Sequence, residues 1–492
     1  MTAIPYRFEG GPSLPIRALK LLALAAFIAF AALMTFAISS LAFAGPVLAL
    51  CIVLVLAYAA FRWPTQTIMA TLVLVPLSRF FSLLVFSATG SSMAVRASQL
   101  IKDELIVVLL IAVANQAFSR RKAPTIYLFD LAIAAYIGFA FMYLFYPGAS
   151  GEGTNILGKV LAWRQDALYF MAYFIGRGMT LNRRTLETMV KVLVVLSVVL
   201  AIVAVIQTAM PNLSNAAFNW LGFSKFMAVI GSPHEKLVVR SRGIAGADFS
   251  RSSSLFLADL GLAFFQVLII PFAAALYFTA KKRGAQVGYG FFLVLMIGVL
   301  ATTITRSAVL AAAVGLAFVT IRTASYAKVW PVAAALGVLA LPVIVFAHLT
   351  PDSIGALLST KEGSASAHLS LLQEGLAQFK EHPWGIGLGN GSHVANLVSK
   401  FGVTLPVTAA ESWYLQIALE MGVIALVLFT LMLLAAIAKA VLASFYVSDP
   451  LLKVITIGVA GAGLSLAVSG IFQPVWAGVH VSYLFWLFAG IA

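Results

Sequence analysis

The chain has 492 residues, of which 62% are hydrophobic and only 10% charged, and its mean hydropathy of +1.02 excludes a soluble globular protein or a disordered one. A net charge of +15 is then divided between the two aqueous ends of a membrane protein, and no nucleic-acid partner is expected. Cys51 is the single cysteine, so one chain can build neither a disulfide nor a thiolate metal centre.

Apolar runs of about 20 residues predict membrane-spanning helices, because backbone amides in hydrocarbon must be satisfied within their own segment. The expected fold is an all-α polytopic membrane protein, a single integral membrane domain over residues 1–492. In chain order the windows give about fourteen transmembrane helices, near 18–38, 41–61, 65–87, 104–118, 126–146, 160–177, 187–210, 255–279, 287–305, 306–321, 329–347, 412–440, 453–471 and 478–491. Arg17 and Lys20 before the first window and Ala42-Phe43-Ala44 after it resemble a signal peptide. The apolar core is longer than the usual signal sequence, so an uncleaved helix is expected.

With the N-terminus cytoplasmic, every second loop is inside, and those loops carry Arg62, Arg120-Arg121-Lys122, Arg183-Arg184, Lys281-Lys282-Arg283, Arg322 with Lys328, and Lys453. The positive-inside rule is satisfied at each, and the C-terminus is then cytoplasmic as well. Two outer loops are long, 211–254 and the larger 348–410, and long loops are usually functional. The first holds Lys225, Lys236, Arg240, Arg242 and Arg251 against Glu235 and Asp248. Two explanations stand for this outer positive charge: a long translocated segment that solvates itself, or a site for an anionic ligand such as a lipid-linked pyrophosphate.

Further along, Arg306 sits between two apolar runs in Thr302-Thr303-Ile304-Thr305-Arg306-Ser307, a place with few local partners for a cation, and should point into a polar, anion-binding cavity. Arg79, inside the third window, either does the same or snorkels to the outer interface. In the second long loop, Leu369, Leu372, Leu376 and Phe379 recur at steps of three and four. They predict a short amphipathic helix that starts near Ser364 or Ser366 and stops before Pro383. Gly385, Gly387, Gly389 and Gly391 follow it. This is neither a nucleotide loop nor a dinucleotide fingerprint; it predicts close backbone approach or repeated positive φ. His382 and His393 flank the run without further ligands at suitable spacing, so no metal site is expected. Glu411 opens the twelfth window. Glu420, nine residues on, falls on the opposite helical face and cannot join Glu411 in one carboxylate pair.

Three stretches make the chain resemble the O-antigen polymerase and ligase superfamily: His382-Pro383-Trp384-Gly385-Ile386-Gly387-Leu388-Gly389, Thr305-Arg306-Ser307-Ala308, and Glu411-Ser412-Trp413-Tyr414-Leu415 through Gly422. The resemblance implies a membrane glycosyltransferase, acting at the periplasmic side of the bacterial inner membrane on undecaprenyl-diphosphate-linked oligosaccharide as donor and acceptor. No cofactor or metal is implied. Membrane lipid surrounds the protein, and a chain-length regulator is a further candidate partner. There are departures. Ligases of the family have histidine where Glu411 stands, Ala425 replaces a second glycine, and no Arg-x10-Gly pattern starts from Arg240, Arg242, Arg251 or Arg306. The first departure favours polymerisation of exopolysaccharide, capsule or O-antigen repeat units over transfer to lipid A core or protein.

On that basis Glu411 is the expected general base, and Arg306 with Arg242 or Arg240 the expected diphosphate clamp. His382, Trp384, Gly385, Gly387, Gly389, His393, Trp413, Tyr414 and Arg79 complete the candidate substrate-binding set, although interface packing explains Trp384 and Trp413 equally well. A flippase of lipid-linked oligosaccharide is the competing class; it would need deep ionisable groups, for which Asp130, Asp166, Asp259 and Glu420 are available.

Overall fold

The computed structural model describes residues 54–119, 127–147, 156–179, 181–230, 235–244, 247–323, 326–331, 363–391 and 410–492, with the isolated positions 232 and 333. The expected span near 18–38, most of those near 41–61 and 329–347, His393, and loop segments 348–362 and 392–409 lie outside the described residues.

The described chain is helical, in the order α1 (Pro64–Leu74), α2 (Ser78–Thr89), α3 (Ser92–Ser119), α4 (Leu128–Met142), α5 (Ile156–Asp166), α6 (Ala172–Gly178), α7 (Arg183–Ala209), α8 (Pro211–Trp220), α9 (Phe223–Ile230), a hairpin of β1 (Arg240–Ile244) and β2 (Ala247–Arg251), then α10 (Asp259–Thr279), α11 (Arg283–Thr302), α12 (Arg306–Thr323), α13 (Gly363–Glu381), α14 (Trp413–Tyr446), α15 (Pro450–Phe472) and α16 (Val479–Ile491). Seven segments are long and apolar enough to cross a membrane: Leu128–Phe145, α7, α10, α11, α12, α14 and α15. An eighth is α1 with α2, bent by 80° at the break between them. Fourteen spans are thus not reached among the described residues. The window near 160–177 is broken into α5, a 3-10 turn at Leu168–Met171, and α6, because Arg164, Gln165 and Asp166 interrupt its apolar run.

The centre of the bundle is α10. It is apolar on every side and buried along nearly its whole length, as a helix without a polar face must be. Against it pack α11, α12 and α15. Gly315 of α12 lies directly on the backbone of Gly461 and beside Pro271, the close approach that small residues permit between helices in lipid. On the far side of α15 lies α14, and α16 packs on α6.

Contacts at the helix ends give the bundle a polarity. Arg183 pairs with Asp449 at 3.2 Å, Arg322 donates to the Ser444 hydroxyl at 2.8 Å and carbonyl at 2.6 Å, and Lys328 donates to the Phe278 carbonyl at 2.7 Å. Four of the expected basic turns, those of Arg183, of Lys281, of Arg322 with Lys328, and of Lys453, are therefore neighbours at one end of the bundle, while Arg120-Arg121-Lys122 lies outside the described residues. α12 ends and α15 begins there, so the two run antiparallel.

At the opposite end the first long loop is folded. Its α8, α9 and hairpin carry a small core of Phe223, Phe226, Met227, Val238 and Val239 against Leu83 of α2 and Val95 of α3. Asn215 clips the hairpin in place, its amide donating to the Val239 carbonyl (3.1 Å) and its oxygen accepting the Val239 N–H (2.9 Å). Such side-chain to backbone bonds hold the connection into the hairpin in one shape.

Candidate active site

The glycine run is built into a helix. α14 breaks at Gly422, whose φ of 77° and ψ of −176° belong to a region open essentially only to glycine. The break frees backbone groups that would otherwise bond along the helix, and the run takes them up. Ile386 N–H donates to the Leu419 carbonyl (2.7 Å), Gly387 N–H to the Glu420 carbonyl (3.1 Å), and Val423 N–H to the Pro383 carbonyl (2.9 Å). Gly385, Gly387 and Gly389 all have positive φ. A Cβ on Gly385 would stand 2.7 Å from the Gly422 nitrogen and 2.8 Å from the Glu420 carbonyl oxygen. The predicted close approach is present, and the surface approached is the broken helix.

The preceding helix α13 covers the start of α14. Gly375 lies against Leu415 and Leu419, and Phe379 packs on the same pair with Ala410. Leu372 and Leu376, expected on the packed face, are exposed instead, because the small side of the helix at Gly375 permits the closer crossing. His382 is half-buried at the end of α13. Trp384 is 62% exposed, and its carbonyl accepts the Tyr143 hydroxyl at 2.6 Å.

Glu411 lies half-buried just before α14. Its neighbour Ala410 donates its N–H to the Gly391 carbonyl (3.1 Å), so the far end of the glycine run closes onto the base candidate. The Ser412 hydroxyl donates to Gly470 (3.2 Å) and that of Tyr414 to Ala467 (3.0 Å); both tie this corner to the last turns of α15. Trp413 is fully buried, edge-on to Phe170 and Phe429.

Arg306 is half-buried as the first residue of α12. Because α12 and α15 are antiparallel and cross at Gly315 and Gly461, Arg306 lies at the end of α15 to which Ser412 and Tyr414 are tied. Arg306 and Glu411 thus share one end of the bundle. Arg240, first in β1, pairs with Glu235 at 2.9 Å. The hairpin register sets Arg242 opposite Phe249 and Arg240 opposite Arg251. Arg79 is exposed at the start of α2, within electrostatic reach of Glu235.

The structure adds a charged cluster around Asp103 that the sequence did not single out, and it places Asp166 and Glu420 together. Asp103 of α3 accepts from Arg164 (3.1 Å) and from the Tyr169 hydroxyl (2.9 Å), with Lys102 at 3.5 Å. Their signal was a charged triplet, Lys102-Asp103-Glu104, at the edge of an apolar window. Two residues beyond Arg164, Asp166 is fully buried, accepts the Gln416 amide at 3.2 Å, and faces the equally buried Glu420. Gly391 lies against the Glu420 side chain. Glu411 lies before the helix that carries Glu420, so the helical spacing does not apply to the pair; Glu411 is half-buried and Glu420 fully buried. Among the described residues, no three His, Cys, Asp or Glu side chains gather as a metal site.

Fold and site define a multi-pass helical membrane protein with a polar, loop-roofed corner at one end of its bundle. Residues 291–430 match the family described as O-Antigen ligase, and this stretch of the chain is similar to that family. The matched stretch contains Arg306, the glycine run, Glu411 and the break at Gly422, and leaves Arg79, Arg240 and Arg242 outside. No curated protein matches the sequence significantly.

Proposed function

We propose that the protein is a metal-independent membrane glycosyltransferase that polymerises undecaprenyl-diphosphate-linked oligosaccharide repeat units at the periplasmic face of the inner membrane. The observation that carries this reading is the placement of Arg306 and Glu411 at one end of α15, both inside the stretch that matches the O-Antigen ligase family. In the reaction, an acceptor sugar hydroxyl attacks the anomeric carbon of the donor. Its proton passes to the Glu411 carboxylate as the new C–O bond forms and the bond to the diphosphate breaks. The polyprenyl diphosphate departs with the electron pair, and Arg306, with Arg240 or Arg242, takes up its charge through charge-assisted hydrogen bonds. The exposed Trp384 is the better placed of the two tryptophans to meet a sugar ring.

Reconstitution with lipid-linked repeat unit tests the reading. Longer lipid-linked chains support a polymerase, transfer to lipid A core makes the protein a ligase, and movement across the bilayer without new bonds makes it a flippase.

A further inference from the structure

We infer that Arg251 and Asp259 are positioning residues that set the backbone from which Arg306 projects. The inference rests on the proposed role of Arg306 in holding the diphosphate.

Arg306 is the first residue of α12, and Thr303, Ile304 and Thr305 form the whole connection from α11. So short a connection forces Ile304 to a φ of 52°, a left-handed conformation that a β-branched residue adopts only under constraint. The constraint comes from the end of the hairpin. Arg251 donates its Nε–H to the Thr303 carbonyl at 2.9 Å, while its Nη2 pairs with the Asp259 carboxylate at 2.8 Å. Next along the chain, the Ser252 and Thr302 hydroxyls hydrogen-bond at 2.6 Å. Asp259 is itself fixed: it is the first residue of α10, where the helix dipole favours a carboxylate, and its other oxygen accepts the Leu260 N–H at 2.9 Å.

Between these two residues the chain is strained again, with Ser254 at φ 49° and Leu257 at φ 57°. It is held by Gln207 of α7, whose side-chain oxygen accepts the N–H groups of Ser253 (3.0 Å) and Ser254 (2.7 Å). The described residues with positive φ other than glycine are these three, and all flank the Arg251–Asp259 pair. Strain gathered in one place and held by a buried polar web is the mark of a backbone kept in a set geometry for function. The planar guanidinium suits the task, because one fork reaches a carbonyl on one side and a carboxylate on the other.

The test uses the purified full chain in liposomes with lipid-linked repeat unit, and inorganic pyrophosphate as a competing inhibitor. Arg251→Gln and Asp259→Asn should each lower kcat about 10- to 100-fold and weaken pyrophosphate inhibition at least about tenfold, with thermal unfolding retained. Arg251→Lys, which keeps the charge but loses the fork, should recover only part of either loss. A general packing defect would lower the amount of folded enzyme without moving the pyrophosphate inhibition constant, and that outcome overturns the inference. So does wild-type kcat and inhibition in both variants while Arg306→Ala is inactive, a result that leaves the proposed function standing. Wild-type activity in Arg306→Ala would sink the reading on which the inference rests. If Arg251→Gln does not fold, Asp259→Asn, which keeps the side-chain shape, carries the test.

Discussion

Ile386 donates its backbone N–H to the carbonyl of Leu419 at 2.7 Å. In an unbroken helix that carbonyl would accept from Val423, whose N–H bonds to Pro383 instead. The loop and helix have exchanged partners, so the break in α14 leaves these groups satisfied in a region where an unpaired amide or carbonyl is costly.

Substitution at this joint should undock the loop. Gly422→Ala adds a Cβ 2.6 Å from the Trp384 carbonyl carbon and forces a side chain into a glycine-only conformation, at a cost of about 1–3 kcal/mol from the backbone alone. Gly385→Ala meets the matching surface from the loop side. Both variants should lower Tm, and amide exchange at Ile386 and Gly387 should rise well before that of α10. Unchanged protection of those two amides would refute the docking.

Glu411→Gln and Arg306→Ala should each abolish polymer formation while expression, membrane insertion and Tm stay near wild type. Polymer of normal length and amount from a folded Glu411→Gln protein would remove that residue as the base.

Asp166 and Glu420 bring two carboxyl groups together in the interior, where like charges interact strongly. Glu420→Gln keeps the shape, removes one ionisable group and can donate to Asp166, so its Tm should equal or exceed that of wild type. Glu420→Ala opens a cavity and leaves Asp166 with one polar neighbour fewer, and should cost about 2 kcal/mol or more. A loss in the Gln variant as large as in the Ala variant would mean that the second carboxyl is itself required.

Asp449 caps α15 beyond the membrane-spanning segment. The N–H of Leu452, then that of Leu451 and the Arg183 guanidinium, hold its carboxyl below the ordinary aspartate value. A depressed value in the folded state means that its stabilisation is present above the unfolded value of about 3.9 and lost as pH falls through the lower folded value. Asp449→Ala should therefore lower Tm at neutral pH, and the difference from wild type should shrink toward zero in strong acid. A difference independent of pH would show that the charge plays no part.

Hydropathy and charge are local properties of a chain, so the helical membrane class and several of the basic turns could be read from the residues, whereas the expected fourteen spans are not reached among the described residues. The spacing of Gly385, Gly387 and Gly389 likewise announced positive φ, because only glycine adopts it freely. What those glycines press against could not be read there: the target, Gly422, is a single glycine in an apolar run and gives no periodic signal. The first long loop showed only its arginines; its hairpin register and the pairing of Arg240 with Glu235 required the fold. Gln416 and Asp166 are 250 positions apart, and Arg251 reaches Thr303 across 52. By itself the sequence determined a helical membrane protein with Arg306 and Glu411 as its leading candidates. Tertiary structure alone decided that both lie at one end of α15, that the glycine run repairs a broken helix beside Glu411, and that Arg251 and Asp259 brace the turn before Arg306. Each of those depends on backbone and side-chain contacts between distant segments, which neither hydropathy nor local spacing encodes.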